Sequence, residues 1–166
     1  YYMSMVEKKG EYNNFEDKAA MNEMEDAKTN IIPNLTLLKA RLLFDGGYYE
    51  KSFHVMEECD IKQLKTEEEK IEFSYRKGRV FHEMRKTDDA IKNYADALAA
   101  GTKKPYYYAA SAALLLGNLY EYKKEPEKAK EYYEKCLKEK PDQFQLILHG
   151  KAKERLEEIK KVSGKK

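Results

Sequence analysis

The chain has 166 residues, 37% of them charged and 42% hydrophobic: the length of one domain or of a contiguous piece of a larger array, with enough apolar residues for a core. Lys and Arg number 32 against 30 Asp and Glu, a formal charge of +2. That near balance speaks against a nucleic-acid footprint, which needs clustered positive excess. The most apolar run, Ala109 to Leu116, falls well short of the roughly 18–20 apolar residues of a membrane span.

Only 8 Gly and 4 Pro interrupt the sequence, which leaves room for long helices. Residues 15–29 are amphipathic, with Ala20, Met24 and Ala27 on one face. Together with Tyr2 to Lys9 they are expected to form a degenerate helical hairpin over 1–32. Pro33 or Asn34 starts the next helix; Asn34-Leu35-Thr36 would matter as a glycosylation acceptor only in a eukaryotic secretory setting. Asp45-Gly46-Gly47 is a turn between helices and not a phosphate loop, because no strand precedes it and no Lys-Ser/Thr follows.

Thr66 with Glu69 three residues on is a capping box that opens a long helix. Thr87, before Asp88-Asp89, is expected to cap the following one. Pro105 and Pro126 suit first helical turns, where a missing N–H costs nothing. Glu131 and Lys135 pair along a helix surface. Residues 143–161 form a final helix whose apolar face is expected to hold Ile147, Leu148, Ala152, Leu156 and Ile159.

The elements repeat. Counted from Gly117, residues 3, 12, 16, 19 and 24 positions on are Tyr120, Ala129, Tyr133, Cys136 and Pro141. The first four offsets from Gly78 give Phe81, Ala90, Tyr94 and Ala97. From Ala40 they give Leu43, Ser52, Met56 and Cys59. Small residues let two helices cross closely, and the large ones fill the space beside the crossing. Cys59 and Cys136 share a small, buried repeat position and are expected to be packing thiols.

Leu116-Gly117, Tyr120, Ala129, Tyr133 and Pro141 resemble the tetratricopeptide repeat, and the resemblance extends over residues 33–141. It implies an all-α fold of antiparallel helix hairpins stacked in a right-handed α-solenoid. The repeats would be 33–65, 66–104 and 105–141, with a C-terminal capping helix and basic tail over 142–166. The chain departs from the family in having no Trp and in small residues 38 and 39 apart, where the standard repeat has 34. The extra residues fall at 61–65 and 101–104, as longer first helices or longer linkers. Long-repeat bacterial members, and the repeat region of a eukaryotic inclusion-clearance family, are similar in this respect. Because the chain opens Tyr1-Tyr2, it is expected to be a C-terminal piece of a larger bacterial protein of this type.

The resemblance also implies a function: a non-catalytic scaffold holding a peptide or protein in the concave groove of first helices. Mapped onto this sequence, the groove residues are Leu37, Arg41 and Phe44, then Tyr75, Arg79 and His82, then Leu114, Asn118 and Glu121. One subclass grips a C-terminal carboxylate with Lys and Asn, and only Asn118 matches it; Arg41 and Arg79 stand at the corresponding places. The alternatives are a structural or regulatory domain with its groove filled intramolecularly, and an appendage of an enzyme encoded outside these residues. Association of copies through an end or the groove is a further option. No cofactor is implied, and no catalytic or metal-ligand spacing stands out: His54, His82 and His149 are dispersed, and there is no His-Glu-x-x-His, Cys-x-x-Cys or Gly-x-Ser-x-Gly. A cytoplasmic setting is expected, with the bacterial periplasm the alternative where a leader has been removed.

Overall fold

The computed structural model describes residues 34–163, so the expected hairpin over 1–32 and the end of the basic tail lie outside the described residues. From Leu35 onward the described residues form one compact unit. Among the described residues there are seven α-helices: α1 (Leu35–Asp45), α2 (Tyr49–Glu57), α3 (Glu67–Glu83), α4 (Thr87–Gly101), α5 (Tyr107–Tyr122), α6 (Pro126–Lys138) and α7 (Gln145–Ser163). A single 3-10 turn, Ile61–Gln63, lies between α2 and α3.

Consecutive helices pack as hairpins, α1 on α2, α3 on α4 and α5 on α6. Each second helix also packs on the next first helix, and α1, α3, α5 and α7 are neighbours in that order. The fold is therefore a stack of helix hairpins closed by α7, with first helices adjacent to first helices. The main core runs from Ile71 to Ile159 and is threaded by Ala90, Tyr94, Ala97, Leu116, Ala129, Tyr133 and Cys136. A second cluster of Leu37, Ala40, Met56, Leu64, Phe73 and Val80 joins the first hairpin to α3.

Local chemistry accounts for the element ends. Thr66 Oγ1 accepts from Glu69 N–H at 3.1 Å, and the Glu69 carboxylate accepts from Thr66 N–H at 3.0 Å, so the expected capping box is present. Pro126 occupies the first turn of α6, where no helical N–H bond is lost. Glu131 and Lys135 pair at 2.7 Å.

The turn inside each hairpin is the same in all three copies. Gly47, Arg85 and Lys124 have φ of 80°, 58° and 63°. Their N–H groups bond back to Phe44, His82 and Glu121, and the next N–H reaches Leu43, Phe81 and Tyr120. One left-handed residue thus satisfies two carbonyls at the end of each first helix.

Four sequence expectations are corrected. Thr87 is the first residue of α4, not its cap: Lys86 holds the cap position without a side-chain bond, because the left-handed turn at Arg85 has already fixed the chain's entry. Pro105 precedes α5, whose cap is Tyr106, and the Pro105 carbonyl is bonded to Asp142 N–H. Cys59 is only half-buried, because α2 ends at Glu57 and leaves it in the linker; Cys136 is fully buried in α6. Ile147 is 49% exposed, whereas Leu148, Ala152 and Ile159 carry the packing of α7.

Candidate protein-binding face

The first helices bring their residues to one side of the stack. Arg41 and Phe44 come from the last turns of α1, Arg79 and His82 from the same part of α3, and Asn118 and Glu121 from α5. They sit at equivalent repeat offsets, so the stacking alone aligns them.

Three of the nine residues expected there are nearly closed to solvent. Leu37 belongs to the cluster with Ala40 and Met56. Tyr75 is enclosed by the rings of Tyr94, Tyr107 and Tyr108 at centroid distances of 6.2, 6.1 and 5.5 Å. Leu114 is buried in the main core. A partner could meet these residues only at their edges; their apolar surface is spent on folding.

The other six present polar or aromatic surface. Arg41 is exposed, with Nε 3.6 Å from Asp45. The Arg79 guanidinium lies 4.1 Å from the centroid of half-buried Phe44, a cation–π contact, and 4.0 Å from Asp45. His82 Nδ1 is 3.4 Å from Tyr94 Oη, and burial lowers the imidazole's pKa below its ordinary value, although Glu83 works the other way. At the far end, Tyr133 Oη donates to Asn118 Oδ1 at 2.7 Å and is also in hydrogen-bond contact with Glu121 Oε2. Arg155 of α7 donates Nε and Nη2 to the same Glu121 oxygen at 2.9 and 2.7 Å. Burial raises the Tyr133 hydroxyl's pKa, and its bond to Glu121 adds to that.

Two contributors escaped the sequence reading. Arg76 is almost fully buried against Glu72, and Arg155 comes from the helix expected only to cap the stack. Repeat offsets gave no cue to either: Arg76 looks like any surface arginine on a charged helix, and α7 lies past the last clear copy. Among the described residues no three His, Cys, Asp or Glu side chains converge as a metal site, and no helix is long and apolar enough to cross a membrane. Burial pushes the Cys136 thiol up to about 12.

The family model for the tetratricopeptide repeat matches residues 71–138, from within α3 to the end of α6. Residues 71–138 are thus tetratricopeptide-repeat sequence. The glycine–tyrosine crossings at Gly78 and Gly117 both lie inside the matched tetratricopeptide residues, whereas α1, α2 and α7 lie outside them. No curated protein and no solved structure matches the chain. Tetratricopeptide repeats generally mediate protein–protein interaction and are typically non-catalytic.

Proposed function

We propose that this chain is a non-catalytic interaction scaffold that holds a peptide or protein across the face built by its first helices. The observation that carries the reading is the group formed by Arg41, Phe44 and Arg79: two accessible guanidiniums, one laid on an aromatic ring, at the junction of two first helices. Arginine and aromatic residues are the side chains most enriched where binding energy concentrates.

A pull-down from the source lysate tests it. Wild-type protein should retain partners that the Arg41→Glu plus Arg79→Glu variant loses. Unchanged capture by the folded double variant removes the first-helix face from consideration.

A second reading has its own support. Asn118 and Glu121 are already engaged by Tyr133 and Arg155, as they would be in a structural domain whose face is filled from within. Releasing Glu121 from α7 with Arg155→Ala should then raise affinity for an added partner, whereas on the scaffold reading the change is small.

A further inference from the structure

The end of the first-helix face formed by α1 and α3 gathers more positive charge than it neutralises. Arg41, Arg76 and Arg79 meet there with Asp45 and Glu72. Arg76 is committed: it is 7% exposed, and both its Nε and its Nη2 contact Glu72. Two guanidiniums, Arg41 and Arg79, share the carboxylate of Asp45, the one acidic partner they have among the described residues. They do so at 3.6 and 4.0 Å, longer than the 2.7–2.9 Å of a full charge-assisted bond. Their side chains keep 48% and 32% of their surface accessible.

The seat of Arg79 matters as much as its charge. The Arg79 guanidinium carbon lies over the Phe44 ring, 4.1 Å from its centroid; this contact restrains the side chain before any partner arrives, so less conformational freedom is lost on binding. The seam between the two helices, lined by Ala40, Ser52 and Val80, is packed too tightly to admit a side chain. A ligand at this place therefore meets the guanidiniums from above and does not insert beneath them.

At the other end of the face the balance differs. Glu121 receives Arg155, and Arg155 also pairs with Glu158, so no surplus cation remains in that group. Of the two groups, the one at the α1–α3 end carries the positive surplus among its paired residues, and two arginines are too few for the long phosphate track of a nucleic acid.

We propose that the segment bound on this face is acidic, presenting Asp or Glu side chains to Arg41 and Arg79. This rests on the first-helix face being the binding face. The occupant is a peptide stretch with carboxylate side chains, read by guanidinium forks and not by a clamp on a chain terminus.

Fluorescence anisotropy of the full chain tests it with two labelled, C-terminally amidated peptides of one sequence: one carrying Glu at alternate positions, the other Lys. The Glu peptide should bind at least about tenfold tighter than the Lys peptide, and the gap should shrink as salt is raised. Arg41→Gln with Arg79→Gln should abolish the preference while the thermal melt stays in place. Asp45→Asn frees both guanidiniums from the carboxylate they share, so it should tighten the Glu peptide; a merely structural role for Asp45 predicts no gain. Equal binding of the Lys peptide, or a Glu peptide indifferent to Asp45→Asn, overturns the acidic assignment and leaves the face itself standing. Equal competition by an oligothymidylate also overturns it, in favour of a general anion site. The face reading fails separately, through unchanged lysate capture by the Arg41→Glu plus Arg79→Glu variant.

Discussion

The first hairpin and the two that follow solve the same crossing in opposite ways. In the second and third hairpins a glycine of the first helix receives a tyrosine ring from the second: Tyr94 at Gly78 and Tyr133 at Gly117. In the first hairpin Ala40 stands at that place, Met56 takes the role of the ring, and Ser52 Oγ donates to the Ala40 carbonyl at 2.8 Å. The turns reverse the choice. The first hairpin has its glycine there, Gly47, where the others have Arg85 and Lys124 in the same left-handed conformation. Between copies, glycine has moved from the turn to the crossing. A repeat position is thus defined by a local need, either room for a ring or a positive φ, and each copy meets one need with glycine and the other by different means.

The crossing gives the largest effect. A Cβ on Gly78 would lie 2.6 Å from the Tyr94 ring, so Gly78→Ala should destabilise by about 1–3 kcal/mol in a thermal or urea melt. Adding Tyr94→Met, which copies the first hairpin, should recover part of that loss. A neutral Gly78→Ala would break the proposed equivalence of the copies.

At the turns the effect should be smaller and of opposite sign. A non-glycine left-handed residue costs about 1–2 kcal/mol, offset in part by the extra freedom glycine has when unfolded. Lys124→Gly should therefore raise stability by up to about 1 kcal/mol, and Gly47→Lys should lower it by a similar amount. Matching shifts in urea midpoint, with unchanged slope, would confirm it; a destabilising Lys124→Gly would show that the lysine side chain matters there.

The two thiols sharpen the contrast between the first and third hairpins. Cys59 should react with a maleimide in the folded state, whereas Cys136, buried and with its pKa pushed up to about 12, should react only as fast as the fold opens. The folded state holds the Cys136 proton more tightly than the unfolded chain. That contribution is complete below the ordinary thiol value of 9.0 and is lost as pH rises toward about 12. Burial raises Tyr94 and Tyr133 in the same sense, so alkaline destabilisation is expected.

The smallest effect belongs to His82, at the repeat offset where the first hairpin has Phe44 and the third Glu121. Its lowered pKa contributes stability that is present above the ordinary value of 6.5 and is lost as pH falls. His82→Gln should flatten the acid side of the stability profile slightly.

The repeat register was legible because it is a matter of side-chain size, and size is written in the residue letters. Gly78 with Tyr94 and Gly117 with Tyr133 announce themselves. The left-handed turns at Arg85 and Lys124 did not, because a long cation carries no sign of positive φ and tertiary context imposes it. Cys59 followed the register on paper, but α2 stops short of it at Glu57. On the candidate face, spacing gave the correct helices but not which residues are spent on folding. Tyr75 and Arg79 are one turn apart, yet three tyrosine rings enclose the first and the second is left over Phe44.

The linkers on either side of the third hairpin are tied to each other. Lys103 N–H donates to the Glu139 carboxylate at 2.9 Å, Asp142 N–H to the Pro105 carbonyl at 2.9 Å, and His149 Nε2 is 2.9 Å from the Glu139 carbonyl oxygen. This forms a clasp that holds the entrance and exit of α5 and α6 side by side, with the start of α7 fastened to it. Under tension on the chain such a stack has a preferred order of failure. Helices outside the clasp are expected to peel first, leaving α5 and α6 as the last folded unit, held across the two bonds that join their linkers.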